Sequence, residues 1–376
     1  MIQSKRILMA KAEETVLEID LKALGHNYRY IRSKIKPETK FMAVVKAYAY
    51  GSDSVAIAKH LQDLGVDYFA VAYVNEGITL REGGITAPIL VLHPQKIHFK
   101  TLIEYSLEPS IYSKAILADF IATAQELNIL DYPIHLKFNT GLNRLGFSAD
   151  ELPEISVLIQ QQQVVKVIAI LSHLAATEDS KETEFTNLQL HRFDAICQQA
   201  DALFKTKTLK HVLNTSGIIN YAHAQYDMVR SGIGLYGYGN EAHVDEALQP
   251  VMTLKTIIAQ KHSIPSGETV GYNRKYKSNS ETVTATLPLG HADGIGRQYG
   301  QGKTFVSING HMAPIIGNVC MDMIMVDVTN IECNEGDEVI IFGKKLPANT
   351  FSQTAETISY ELLTGLSQRI KRVLTV

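Results

Sequence analysis

Between Leu21 and about Glu241 the chain repeats one pattern: a short apolar run, a polar residue near its end, then an amphipathic stretch. The runs fall at 41–45, 68–71, 89–92, 108–111, 134–138, 167–171, 210–213 and 228–229. Stretches such as 24–35, 54–64, 114–127 and 184–204 carry apolar residues at helical spacing. Strands alternating with helices imply a parallel sheet, and roughly eight such units match an α/β TIM barrel. After about Pro250 the texture changes to β-type alternation at 253–259, 282–287, 304–308, 324–328 and 338–342, with turns at Ser266-Gly267 and Glu335-Gly336-Asp337. A helix over about 354–366 and a terminal run at 370–376 follow. The expected architecture is a barrel domain over 15–245 and a mainly β domain over 246–376, with the N-terminal strand near 15–20 able to pack with the latter.

A length of 376 residues suits two folding units better than one core. With 45% hydrophobic and 20% charged residues the composition is that of an ordinary globular protein. The 36 basic and 39 acidic residues give a net charge of −3 and form no long block of one sign, which argues against nucleic acid or an anionic membrane as partner. Cys197, Cys320 and Cys333 form no close-spaced cluster, so neither a disulfide framework nor a structural zinc site is expected. The segment from Met1 to Glu14 lacks the apolar run of a signal peptide, and no apolar stretch approaches the about 20 residues of a membrane span. A cytoplasmic protein acting on small molecules is the expectation, with no metal.

Active sites of such barrels lie at the C-terminal ends of the strands. Lys46 ends the first run, Lys137 and Arg144 follow the fifth, His173 the sixth, Asn214 and Thr215 the seventh, and Arg230 the eighth. A lysine there costs free energy unless its charge is lost or paired, and an imine with an aldehyde cofactor would remove the charge. The other reading is a lysine that snorkels to water. Asn214-Thr215-Ser216-Gly217 opens a short helix and Ser231-Gly232-Ile233-Gly234 follows the last run; barrels often hold phosphate at these two places, although either segment alone reads as a cap or a turn. Arg230 offers a fork of donors to a bound ring or to a rim carboxylate. Lys137 and Arg144 are like charges that need an anion between them, or a modified lysine. His173, taken alone, reads as a structural hydrogen-bonding histidine.

The run Ala43-Val-Val-Lys46-Ala-Tyr-Ala-Tyr50-Gly51 resembles the cofactor-lysine motif of alanine racemases, and the likeness extends over nearly the whole chain. It continues through His135-Leu-Lys137-Phe-Asn-Thr-Gly-Leu-Asn-Arg144-Leu-Gly, Arg230-Ser-Gly-Ile-Gly-Leu-Tyr-Gly237, Val270-Gly-Tyr272, Gly290-His-Ala-Asp-Gly294, Gly317-Asn-Val-Cys-Met321-Asp322 and Ile358-Ser-Tyr360-Glu361. The resemblance implies a homodimer that interconverts L- and D-alanine on pyridoxal 5'-phosphate, supplying D-alanine for peptidoglycan. It implies Lys46 as the Schiff-base lysine and one catalytic base, and Tyr272 of the partner subunit as the other. Tyr50, Asn214, Thr215, Gly232, Ile233 and Tyr360 would surround the cofactor, with His173 beside the ring and Arg230 at the pyridine nitrogen. Arg144 and Met321 of the partner subunit would meet the substrate. Lys137, carbamylated in many members, would support Arg144, and Asp322 and His291 would support the entrance.

The chain departs from the family at Tyr48 and Asn318, where asparagine and arginine are usual, at Asn139, where aspartate is common, and at His291, where the family usually has tyrosine. His291 puts strict selectivity for alanine in question, so a racemase of broader specificity is the closest alternative. A decarboxylase of the same plan would place an acid at the pyridine nitrogen, which Arg230 opposes. A cofactor carrier made of the barrel alone would lack the β domain that holds Tyr272.

Overall fold

The computed structural model describes residues 12–204 and 207–376. Most of the N-terminal segment read for a leader therefore lies outside the described residues. Among them, no helix is long and apolar enough to cross a membrane.

The described chain forms two compact units, Lys22–Gln249 and residues 12–21 with Pro250–Val376. Strand β1 (Val16–Asp20) belongs to the second. The first unit carries β2 (Lys40–Val44), β3 (Tyr68–Val71), β4 (Ile89–Val91), β5 (Glu108–Ile111), β6 (Tyr132–Lys137), β7 (Val165–Leu171), β8 (Leu209–His211) and β9 (Met228–Ser231). All are paired in parallel, in the order β8-β7-β6-β5-β4-β3-β2-β9. The N–H groups of Asp227 and Arg230 reach the carbonyls of Lys210 and Leu213, so the sheet is nearly closed between β8 and β9. This is the expected barrel.

Side chains alternate along a strand, so Met42 and Val44, Tyr68 and Ala70, and Leu90 and Leu92 share one face with Met228 and Leu209 and form an apolar cluster. Further along, the same alternation brings His135 and Lys137 of β6, His211 of β8 and Arg230 of β9 into the interior, each almost completely buried. Apolar side chains fill one part of the barrel; ionisable ones fill the part that meets the chemistry.

The second unit holds β10 (Met252–Ile257), β11 (Gln260–Ile264), β12 (Thr269–Val270), β13 (Tyr276–Lys277), β14 (Thr282–Leu287), β15 (Phe305–Ile308), β16 (His311–Ile316), β17 (Ile324–Asp327), β18 (Glu338–Phe342) and β19 (Lys371–Thr375). Nine of its strands form one sheet in the order β11-β14-β17-β16-β15-β18-β10-β1-β19, and β12 pairs with β13. Strand β1 lies between β10, antiparallel, and β19, parallel.

The late helix expected over 354–366 is shorter. Helices span Ala348–Gln353 and Ser359–Thr364, and Glu356 between them has a φ of 57°, which no right-handed helix accommodates.

Candidate active site

Lys46 stands two residues past the end of β2, and the chain then makes a turn of unusual hand. Ala47, Tyr48, Ala49 and Tyr50 have φ of 53°, 55°, 50° and 57° with ψ between 42° and 58°. That is a left-handed helical turn built without glycine, at a cost of about 1–2 kcal/mol per residue. The turn brings the buried Tyr50 ring onto Tyr236, with centroids 4.6 Å apart, and Tyr236 in turn donates its hydroxyl to the Val44 carbonyl at 3.2 Å. The Tyr50 hydroxyl lies against the backbone of Gly232: a β-carbon there would fall 2.2 Å from the oxygen, so any other residue would push the Tyr50 ring out of place.

The segments after β8 and β9 meet at the same place. Asn214 caps the short helix Thr215–Asn220, accepting from the Gly217 N–H at 2.9 Å. The buried Thr215 hydroxyl lies 3.1 Å from Ser231 Oγ and accepts from the N–H groups of Gly232 and Gly234 at 3.3 and 3.4 Å. Tyr50, Thr215 and Gly232 thus bring hydroxyls and backbone N–H groups together beside the Asn214-capped helix, groups of the kind that can hold an anion.

Beside it lies a concentration of positive charge. The guanidinium of Arg230 donates to the carbonyls of Ser172, His211 and Val212 at 2.7, 2.9 and 3.0 Å, to His211 Nδ1 at 2.8 Å and to His173 Nδ1 at 3.1 Å. Among the described residues no carboxylate pairs with it, and burial pushes its pKa down to about 10. Because a guanidinium can only donate, the Nδ1 atoms of both histidines are acceptors. His211 then carries its proton on Nε2 and donates it in a hydrogen bond to His135 Nδ1 at 3.3 Å, and His135 Nε2 donates to Glu108 at 2.8 Å. Burial, then Arg230, holds both His173 and His211 far below the usual imidazole range, so both are neutral. This one-way chain fixes the Arg230 plane, and sequence reasoning missed it.

Lys137 is buried at the end of β6, and burial, then Arg144, Arg230 and Lys46, push its pKa down to about 8. Lys46 is also lowered, by burial and then by Arg144, against the opposing charge of Glu76. His93, just past β4, is pushed down to about 4 by burial and then by Lys137, Lys46 and Arg144. Arg144 sits on an exposed loop that folds back on β6, with the Asn139 N–H donating to the Phe147 carbonyl and the Phe147 N–H to the Lys137 carbonyl, both at 2.9 Å. Asn139 organises that loop: its oxygen accepts from the N–H groups of Gly141 and Asn143, and its amide donates to the Asn143 side chain at 2.8 Å. An aspartate could accept the first two bonds but could not make the third.

In the second unit Tyr272 is 70% exposed and Met321 59%, and with Asp322, Thr286, Cys320 and Met325 they line one cavity. Gly271, with φ 73°, sets up the Tyr272 turn, and Asn318 holds the Tyr272 carbonyl through its amide at 3.0 Å. His291 is exposed, and its N–H bonds the Cys320 carbonyl at 2.9 Å while Ala292 bonds Met321 at 3.0 Å. A β-carbon on Gly290 would lie 2.3 Å from the Cys320 carbonyl oxygen and 2.5 Å from that of Met321, so this contact requires glycine. Arg369 ties the loop down, reaching Asp293 at 2.7 and 2.9 Å and Asp322 at 2.6 Å. Tyr360 lies in the helix Ser359–Thr364, half-buried. The structure therefore brings most of the sequence-derived residues together within each unit: Lys46, Tyr50, Lys137, Arg144, His173, Asn214, Thr215, Arg230, Gly232 and Ile233 in the first, and Tyr272, His291, Met321 and Asp322 in the second, whereas Tyr360 does not line the Tyr272 cavity.

A barrel with a lysine-centred, cation-rich mouth beside an anion cradle, followed by a β unit, defines an enzyme that holds a charged small molecule on its barrel. Comparisons with known proteins narrow the class. The alanine racemase N-terminal domain model matches residues 19–240 and the C-terminal domain model residues 251–374. The alanine racemase of Carboxydothermus hydrogenoformans is 34% identical over 95% of this chain and 98% of its own. The structure of alanine racemase from Streptomyces lavendulae superposes with a TM-score of 0.92 at 29% identity, covering 98% of each chain. That from Bartonella henselae, with covalently bound pyridoxal phosphate, gives 0.88 at 29% identity, covering 97% of this chain and 100% of its own. The chain belongs to the alanine racemase family, and it is an isomerase that interconverts L- and D-alanine.

Proposed function

We propose that Lys46 and Tyr272 are the two bases of this alanine racemase, each serving one face of the substrate α-carbon, and that Lys46 is also the residue to which the cofactor is bonded. The cofactor is pyridoxal 5'-phosphate, and when bound it acidifies the α-proton of an amino acid by spreading the resulting charge into its ring. The observation that carries the residue assignment is the convergence at one barrel mouth of Lys46, a glycine-and-hydroxyl cradle and the cations Lys137, Arg144 and Arg230. A phosphate and a carboxylate supply the negative charge that such a cluster lacks.

In this reading Tyr50, Asn214, Thr215, Gly232, Ile233 and Tyr360 hold the phosphate, and His173 lies beside the ring. Arg230, a donor with its plane fixed by five hydrogen bonds to carbonyls and histidines, would meet the ring nitrogen of a bound cofactor with a cation that disfavours its protonation, and so would discourage transamination. Arg144 orients the substrate carboxylate. Lys46, with its ammonium disfavoured by burial, returns readily to the free amine that accepts a proton at Nζ. Tyr272 supplies Oη to the opposite face.

We further propose a homodimer in which Tyr272 of the partner subunit and Met321 of the partner subunit complete each site, with Asp322 and His291 shaping the entrance. The exposure of an aromatic and a thioether side chain on one cavity supports this. The test of substrate is a chiral assay of purified protein with a panel of L-amino acids. Alanine is expected to racemise fastest, and a larger side chain turning over faster would replace alanine as the substrate.

Lys137 gives a second expected result. A lysine with a pKa near 8 is a free amine often enough at neutral pH to take up carbon dioxide, releasing one proton and leaving a carbamate that Arg144 can bind. Lys137→Ala should lower kcat/KM roughly 10- to 100-fold, the usual effect of losing a hydrogen bond to a charged group. Protein equilibrated with ¹³C-bicarbonate should show a carbamate carbon that the variant lacks. An unlabelled wild-type protein, or an unimpaired variant, contradicts the assignment.

A further inference from the structure

Glu76 lies in the first turn of the helix Val74–Glu82 and reaches back across the end of β3 to the turn that carries Lys46. One carboxylate oxygen accepts from the Ala47 N–H at 2.5 Å; the other accepts from Ala72 and Tyr73 at 2.6 and 3.0 Å. Three backbone donors on one partly buried carboxylate are charge-assisted bonds, stronger than neutral ones. They join two adjacent strand ends, β2 with its left-handed extension and β3 with its helix. Ala47, the first left-handed residue, is the one immediately after Lys46. The same carboxylate is a negative charge acting on the Lys46 ammonium, against Arg144.

We infer that Glu76 is the positioning residue for Lys46: it clamps Ala47 in the left-handed conformation that aims Lys46 into the barrel mouth and sets the Tyr50 hydroxyl against Gly232. The inference rests on Lys46 being the cofactor lysine and extends that reading to the side chain that holds it in place. Capping alone would account for the bonds to Ala72 and Tyr73, which immediately precede the helix. It does not account for the bond to Ala47, which lies in a different element 29 residues away.

Glu76→Gln, made in the full-length holoenzyme, tests the inference. An amide keeps one acceptor and turns a donor toward the remaining N–H groups, so the clamp opens. Cofactor release on dialysis and amide hydrogen exchange at Ala47–Tyr50 should both quicken by about 10- to 100-fold, as expected for a lost hydrogen bond to a charged group, and kcat should fall more than KM rises. Adding Ala47→Gly should then restore a large part of the loss, because glycine enters the left-handed region without the steric cost borne by alanine. If the amide variant folds poorly, Glu76→Asp takes its place: the charge stays, but the side chain is one methylene too short to span both strand ends. Release and exchange within twofold of wild type, or a loss that Ala47→Gly leaves unrepaired, would overturn the inference. Cofactor retained by Lys46→Ala would instead defeat the underlying assignment of Lys46, so the two failures are distinct.

Discussion

Lys46→Ala is expected to yield a folded, colourless protein that neither keeps pyridoxal phosphate through dialysis nor racemises alanine. Two losses combine. On the proposed assignment the covalent tie to the cofactor disappears, leaving non-covalent contacts such as those of Tyr50, Thr215 and Gly232 to hold the phosphate, and one of the two bases disappears with it. Removal of a general base alone costs about 10²- to 10⁴-fold, so the combined loss should put turnover below detection. Folding should survive, because burial already disfavours the Lys46 ammonium and an alanine at that position removes a desolvated charge. The checks are the visible absorption spectrum after dialysis and a coupled assay in both directions. A yellow Lys46→Ala protein would show that another lysine carries the cofactor.

The barrel was legible because most of its strands are short apolar runs that stop at a polar residue and alternate with amphipathic stretches, although β5 (Glu-Pro-Ser-Ile) and β8 (Leu-Lys-His) are weak examples. The candidate site was legible for a similar reason: Lys46, Lys137 and Arg230 sit at or just past the end of a strand, where an ionisable side chain is costly unless paired. Less was visible in the β unit. Strand β11 reads Gln-Lys-His-Ser-Ile and its side chains are mostly exposed, and β16 contains Pro314, so neither shows the apolar alternation of a buried strand. Glu76 and the Arg230–His211–His135–Glu108 chain escaped for another reason. Their partners lie 19 to 76 residues away, so spacing along the chain carries no trace of them. A weak signal did exist. His135 and His211 occupy interior positions of barrel strands, where a histidine needs a hydrogen-bonding partner. The left-handed turn had none, because alanine and tyrosine give no hint of positive φ.

The second large effect concerns Tyr272. Tyr272→Phe removes one oxygen from an exposed side chain whose backbone is held by Asn318, so fold, cofactor colour and the barrel mouth should be preserved. Racemisation in both directions should nevertheless fall by about 10²- to 10⁴-fold, because either direction needs both faces served. If the site is shared between subunits, mixing Lys46→Ala with Tyr272→Phe subunits should recover part of the activity, since one site of each heterodimer keeps both bases. No recovery, with subunit exchange verified, would mean that each site is built within one chain.

The most direct test of one base per face is hydrogen exchange at the substrate α-carbon of Tyr272→Phe in deuterated water. With Lys46 serving D-alanine and Tyr272 serving L-alanine, the variant should exchange D-alanine slowly and with retention, because Lys46 can remove and return a proton on its own side. L-alanine should exchange far less, with an asymmetry that remains measurable against a base loss of about 10²- to 10⁴-fold. Equal exchange of both enantiomers would contradict the account and leave a single group serving both faces.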